Sequence, residues 1–183
     1  LAMLPGPIVQ PGLRNISLGF VEFAWMASPA LKIPDRSLTP RDLDNWPILT
    51  LSKTSNLYAQ LERWFEESGA VGRRTDTCNS LSVLASWTIS GLGIGYLPVE
   101  HFGRDIRASR LRIVDVTPKL PDLEYVAALD RRHPQPLAQS VAELAVTVST
   151  FERRTQLPEA TGGRTPAPIG SRRKKSPPGD RVR

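Results

Sequence analysis

Short apolar runs bounded by proline, glycine and polar residues alternate with segments of helical period along nearly all of the span 16–151. That alternation restricts the fold more than any other feature. Residues 16–26 alternate imperfectly, with Ile16, Leu18 and Phe20 followed by Val21, Phe23 and Trp25, and predict a strand that Ser28 and Pro29 interrupt. Thr39, Pro40 and Asp42 supply an N-cap, a first-turn proline and an acid three residues after the cap, the signature of a short helix start. The run 48–51 predicts a buried strand feeding a polar loop. From Asn56 the period changes: Leu57, Leu61, Trp64 and Phe65 stand at i, i+4, i+7 and i+8 with charged residues between them, and Ser68 and Gly69 close that helix.

The same alternation continues. A strand is predicted over 73–78, then a helix capped by Asn79 or Ser80, carrying Leu81, Leu84 and Ala85 and ending at Gly91. A strand over 94–97 stops at Pro98. A short helical patch over 99–102, strands over 111–116 and 123–129, and a last helix after Pro136 complete the order. In that last helix Val141, Leu144, Ala145, Val148 and Phe151 share one face, the expected core face. No repeat is present. Strands alternating with helices predict an open sheet with crossover helices, an α/β architecture.

Composition excludes several classes. Cys78 is the single cysteine and His101 and His133 the two histidines, so disulfide frameworks and Cys/His zinc cages are ruled out by count. No run approaches the ~18 consecutive apolar residues that a bilayer span requires, and the cytoplasm is the expected compartment. The net charge of +6 divides unevenly, with +1 over residues 1–154 and +5 over 155–183. Basicity therefore belongs to the tail. That tail has almost no apolar side chains and many prolines and glycines, which predicts a disordered basic end; Arg172, Arg173, Lys174 and Lys175 offer it nonspecific phosphate attraction.

Ligand chemistry is expected in the loops, because an open α/β sheet binds ligands outside the carboxyl ends of its strands, where helix N-termini point. Two loops follow a strand and open a helix: Ser52, Lys53, Thr54, Ser55, and Thr77, Cys78, Asn79, Ser80. Hydroxyls, amides and unpaired backbone N–H groups converge there, suited to a small anion or polar molecule. The competing reading is that Ser55 and Asn79 only cap their helices. Gly91, Gly93 and Gly95 end a helix and precede a strand, the reverse of a dinucleotide fingerprint. They read as a helix stop and a close backbone turn. No nucleophile, acid–base pair or cofactor motif stands out, so no enzyme and no cofactor is expected.

The succession Trp25-Met26-Ala27-Ser28-Pro29, Leu38-Thr39-Pro40-Arg41-Asp42-Leu43, Trp64-Phe65, Cys78-Asn79-Ser80-Leu81, Gly91-Leu92-Gly93-Ile94-Gly95-Tyr96-Leu97-Pro98 and Leu120-Pro121 resembles the effector-binding domain of LysR-type transcriptional regulators. The resemblance covers residues 1–154. It implies a periplasmic-binding-protein-like (type 2) fold of two α/β lobes: a partial first lobe over 1–28, a second lobe over 29–98, and a return to the first lobe over 99–154, followed by the tail 155–183. The hinge would fall at Ser28 and Pro29 and at Leu97 and Pro98. The cleft would hold a small-molecule effector, with the two loops as its second-lobe wall. The implied partners are the effector, further copies of the chain in a dimer or tetramer, and DNA through a winged helix-turn-helix. The chain opens on Leu1, and that DNA-binding part and the first strand–helix–strand–helix portion of the first lobe have no counterpart here, so it is expected to be an N-terminally truncated fragment. A solute-binding protein of a membrane transport system is the alternative reading on the same fold.

Overall fold

The computed structural model of the 183-residue chain describes residues 1–70 and 74–153. The expected disordered basic tail and the start of the strand predicted over 73–78 lie outside the described residues. Two sheets organise the chain. Strands β1 (Ala2–Pro5), β2 (Leu13–Val21) and β8 (Leu123–Asp130) form an antiparallel three-stranded sheet in the order β1-β8-β2. Strands β3 (Phe23–Ala27), β4 (Ile48–Leu51), β5 (Thr75–Cys78), β6 (Ile94–Pro98) and β7 (Arg112–Ile113) form a mixed sheet in the order β5-β4-β6-β3-β7. Within it β4 runs parallel to both β5 and β6, while β3 is antiparallel to β6 and β7.

Helices cover both faces of the five-stranded sheet, and the period-2 alternation of its strands supplies a core to each. Phe23, Trp25, Ile48, Ile94 and Tyr96 face α1 (Asn56–Glu67), while Met26, Leu49 and Leu97 face α2 (Leu81–Ile89). On α1 the buried residues are Leu57, Leu61, Trp64 and Phe65, the four that its period predicts. Burying each contributes roughly 1.5–3 kcal/mol. An aromatic cluster fixes this layer, with the Trp25 ring 5.7 Å from Trp64, 5.8 Å from Phe65 and 5.1 Å from Tyr96.

Glycine 91 takes φ +77° after the last turn of α2, the left-handed conformation that ends helices. Gly93 and Gly95 answer to space: a Cβ would lie 2.3 Å from the Pro47 carbonyl oxygen and 2.5 Å from Thr88 Oγ1, respectively. The expected helix stop and close backbone turn are both present.

Five elements differ from expectation, one being the strand predicted over 111–116, which is only the two residues Arg112–Ile113 with an isolated bridge at Val116. The single strand over 16–26 is two strands in two sheets, because the chain leaves the first sheet after Val21 and enters the second at Phe23. The slip of the alternation from even to odd positions between Phe20 and Val21 stands next to that change of sheet. The Thr39 start gives a 3-10 turn, Asp42–Asn45, in place of an α-helix; Thr39 N and Oγ1 both donate to the Asp42 carboxylate at 2.8 Å. The patch at 99–102 is a turn leading into α3 (Gly103–Arg107). On α4 (Pro136–Val148), the alanines face the sheet: Ala142 is fully buried and Ala138 and Ala145 pack beside it, whereas Val141, Leu144 and Val148 are exposed. Alanine permits a close helix–sheet approach, and the bulkier stripe is turned about a quarter of the way round the helix.

Candidate functional site

Parallel pairing of β4 and β5 brings the two predicted loops together. Leu51 is in register with Cys78, so residues 52–55 and 79–80 leave adjacent strands, ~4.8 Å apart, at the same end of the sheet. Each loop then opens a helix. Ser55 is the N-cap of α1, its Oγ accepting from Leu57 N at 3.2 Å. Ser80 caps α2, its Oγ accepting from Val83 N at 3.4 Å. Asn79 is exposed and is not the cap. Thus capping occupies Ser55 and Ser80.

The remaining loop groups are turned toward solvent. Lys53, Thr54, Thr77 and Asn79 are exposed, and Ser52 and Cys78 half-buried. Ser52 Oγ and Thr54 Oγ1 share a hydrogen bond of 3.1 Å, and Cys78 Sγ donates to the Ser80 carbonyl at 3.3 Å. Two helix N-termini converging beside a lysine make this end of the sheet electropositive, and unpaired N–H groups of the first turns point outward. The arrangement can hold a small anion or a polar molecule with acceptor oxygens. Among the described residues no group of three or more His, Cys, Asp or Glu is placed to hold a metal.

Of the four predicted hinge residues, the two pairs fall apart. Leu97 and Pro98 pair with Ala24 and Phe23 at the start of β3, beside the crossing at Glu22, whose carbonyl accepts from Val99 N at 3.0 Å. Ser28 and Pro29 lie at the far end of β3, where Ser28 is buried and begins a turn closed by Leu31 N. The chain returns to the three-stranded sheet through residues 114–122, entering β8 at Leu123. Both Phe23–Ala27 and Arg112–Ile113, placed by the expected boundaries with the first lobe, belong to the same sheet as the strands of 29–98.

The sequence reading missed one edge of α1. Asn56, Gln60 and Trp64 recur at every fourth residue, and each side chain donates to a proline carbonyl: Pro5 at 2.6 Å, Pro121 at 3.0 Å and Pro118 at 3.1 Å. Pro5 belongs to the three-stranded sheet and Pro118 and Pro121 to the returning segment, so this edge ties α1 to both. A cavity of about 890 Å³ lies along it, lined by Gly6, Pro7, Asn56, Gln60, Trp64 and Leu120 among others. The polar spacing 56-60 was present in the sequence, though nothing there named its acceptors.

Tyr96 lies in the aromatic layer, and burial, with the charges of Asp122 and Glu22 nearby, pushes its phenol well above the usual tyrosine range. It stays neutral and serves packing. His133 is exposed and 3.2 Å from Asp130, and His101 stacks edge-on against Phe102. Neither faces the loops.

Comparison with known proteins bears on this geometry. A family model described as LysR substrate binding domain matches residues 1–149. Among solved structures, the regulatory domain of CcmR from Synechocystis PCC6803 in complex with 2-PG is similar at TM-score 0.68 and 16% identity, over 81% of this chain and 72% of that one. The effector binding domain of QuiR in complex with shikimate is similar at TM-score 0.67 and 13% identity, over 82% and 72%. The full-length structure of HypT from Salmonella typhimurium, a hypochlorite-specific LysR-type transcriptional regulator, is similar at TM-score 0.61 and 17% identity, over 80% of this chain and 50% of that one. No curated protein matches the chain. At these identities the structural likeness shows the fold, periplasmic-binding-protein-like with mixed sheets. No helix among the described residues is long and apolar enough to cross a membrane.

Proposed function

The chain belongs to the LysR substrate binding domain family, and from that membership we propose that it is the effector-sensing and oligomerising part of a cytoplasmic, DNA-binding transcriptional regulator, with no catalytic step of its own. One observation carries the site: parallel strands β4 and β5 end side by side, and the loops that follow them, 52–55 and 77–80, each deliver a helix N-terminus to the same place. Lys53, Thr54, Thr77 and Asn79 supply exposed donors there. A small anion or polar acid is the ligand class this donor set accepts.

In this proposal the two lobes follow the two sheets. Loops 52–55 and 77–80 form the wall contributed by the five-stranded lobe, and the chain crosses between lobes at Glu22 and again at 120–122. Closure on a ligand shifts a population only through differential affinity for open and closed states.

Thermal unfolding of the 183-residue chain against benzoate, shikimate and inorganic phosphate tests the site. Binding to the folded state alone raises Tm with ligand concentration, and Lys53→Ala with Thr54→Ala abolishes the rise while leaving the unliganded Tm unchanged. A rise that survives the double substitution would remove these loops from the site.

A further inference from the structure

Strand β7 covers the edge of β3 only in part. It pairs with Met26 and Ala27, and Val114 N donates to the Trp25 carbonyl at 2.8 Å. From there the returning chain pairs with residue 38: Leu38 N donates to the Asp115 carbonyl at 2.9 Å, and Thr117 N to the Leu38 carbonyl at 2.8 Å. Drawn off β3 in this way, the chain leaves a hollow of about 260 Å³ between residues 22–25 and 113–122, room for about nine waters. The hollow lies at the β3-β7 edge of the sheet, whereas loops 52–55 and 77–80 follow the strands of the β5-β4 edge.

Phe23, Trp25 and Tyr96 line this hollow, the Phe23 ring stacked on Tyr96 with centroids 5.5 Å apart. Tyr96 is 3% exposed, and among the described residues its hydroxyl takes part in no hydrogen bond. Glu22 and Asp122 line the same hollow, and the charge of each acts on that phenol, so the hydroxyl sits close to both. Buried polar groups normally find partners within the chain. Here the Trp25 indole N–H is a second buried group without one among the described residues. Lys119 is the only cation among the described lining residues; it is exposed and makes no ion pair among the described residues.

We propose that this hollow binds a small primary alkylammonium ion, with Glu22, Asp122 and the Tyr96 hydroxyl accepting its three N–H groups and the aromatic side chains covering its carbon chain. The match is one of donor count: an ammonium group has three donors and no acceptor, and carboxylate and phenol oxygens all accept. Three acids, Glu22, Asp115 and Asp122, line the hollow against one lysine, an excess that attracts a cation and repels an anion. Buried rings lower the local dielectric and strengthen each contact. The preference is therefore opposite to that of the electropositive loops 52–55 and 77–80, and it does not depend on them. Glu22 is the residue between β2 and β3, and Asp122 directly precedes β8. An ion held by both ties together the two connections between the sheets, so the bound amine restrains one sheet relative to the other.

An amide chemical-shift titration of the 183-residue chain with n-butylammonium chloride is the test, run beside sodium chloride at equal ionic strength and beside tetramethylammonium chloride. Saturable shifts at residues 22–25, 96 and 113–122 are expected with butylammonium. Tetramethylammonium, which has the same charge and no N–H, binds more weakly by ~10-fold or more. Glu22→Gln and Tyr96→Phe, which keep side-chain size and ring packing, each raise the dissociation constant by ~10-fold with unchanged far-UV circular dichroism. Lys119→Met removes the competing cation and lowers it, and Glu143→Gln, on α4, leaves it unaltered. No saturable shift, equal shifts with sodium chloride, tetramethylammonium bound as tightly, or an affinity indifferent to both Glu22→Gln and Tyr96→Phe would each overturn the proposal. None of these results bears on the anion site at the loops.

Discussion

The side-chain amide of Asn56 donates to the carbonyl of Pro5 across 2.6 Å, joining the first residue of α1 to the last residue of β1. Asn56 immediately follows the cap Ser55, so the loop proposed to meet the ligand is one residue from the tie between the two sheets. Gln60 repeats the contact one turn later with Pro121. A shift of the α1 N-terminus is therefore felt directly by the three-stranded unit.

Replacing Asn56 and Gln60 by Ala removes two ties that are exposed to solvent, and each contributes about 1 kcal/mol or less. Denaturant unfolding of Asn56→Ala and of the double variant should show losses of that size, with the double variant near the sum. A loss of zero for both would mean that water replaces the ties without cost.

Capping and ligand contact separate by residue. Ser55→Ala and Ser80→Ala remove observed caps and should each cost about 1 kcal/mol of stability. Thr54→Ala and Asn79→Ala make no cap contact and should leave unfolding unchanged while weakening shikimate or phosphate binding. Calorimetric titration alongside chemical unfolding distinguishes the two pairs.

Gly95→Ala forces a methyl against Thr88 Oγ1, itself fully buried and donating to the Leu84 carbonyl at 2.9 Å. Overpacking of this kind costs about 1–3 kcal/mol. Thr88→Ala in the same chain opens the space, so the double variant should be more stable than Gly95→Ala alone, as thermal unfolding would report.

Acid removes one local stabilisation in a defined direction. The Arg36 guanidinium, at 2.9 Å, and the Thr39 backbone N–H hold the Asp42 carboxyl well below the usual carboxylate range. Its folded-state affinity for a proton is thus lower than in the unfolded chain, and its contribution is present above the ordinary value of ~4 and lost as pH falls through the lowered one. The stability difference between the native chain and Asp42→Asn should be greatest near neutrality and shrink steadily on acidification.

Much of this was legible in the sequence where a local pattern has one solution. Leu57, Leu61, Trp64 and Phe65 name the buried face of α1 because bulky residues at that period have nowhere else to go, and strand–loop–helix order located the two candidate loops. What failed was non-local. The alternation over residues 16–26, which slips from even to odd positions between Phe20 and Val21, was read as one imperfect strand, whereas Val21 and Phe23 belong to different sheets. On α4 the expected face was right for Ala145 and Phe151 but not for Val141, Leu144 and Val148, which are exposed while Ala138, Ala142 and Val146 pack against the sheet. Ser55 and Ser80 were read correctly as possible caps, and only the hydrogen bonds separate them from Asn79.

The most direct test of the account is an amide chemical-shift titration of the 183-residue chain with shikimate and with inorganic phosphate. Saturable shifts concentrated at residues 53–57 and 79–83, where the loops and first helical turns offer their N–H groups, are the predicted result. Shifts confined to the cavity lined by Gly6, Pro7 and Gln60, or no saturable shift with either ligand, would contradict the assignment of the effector site to these loops.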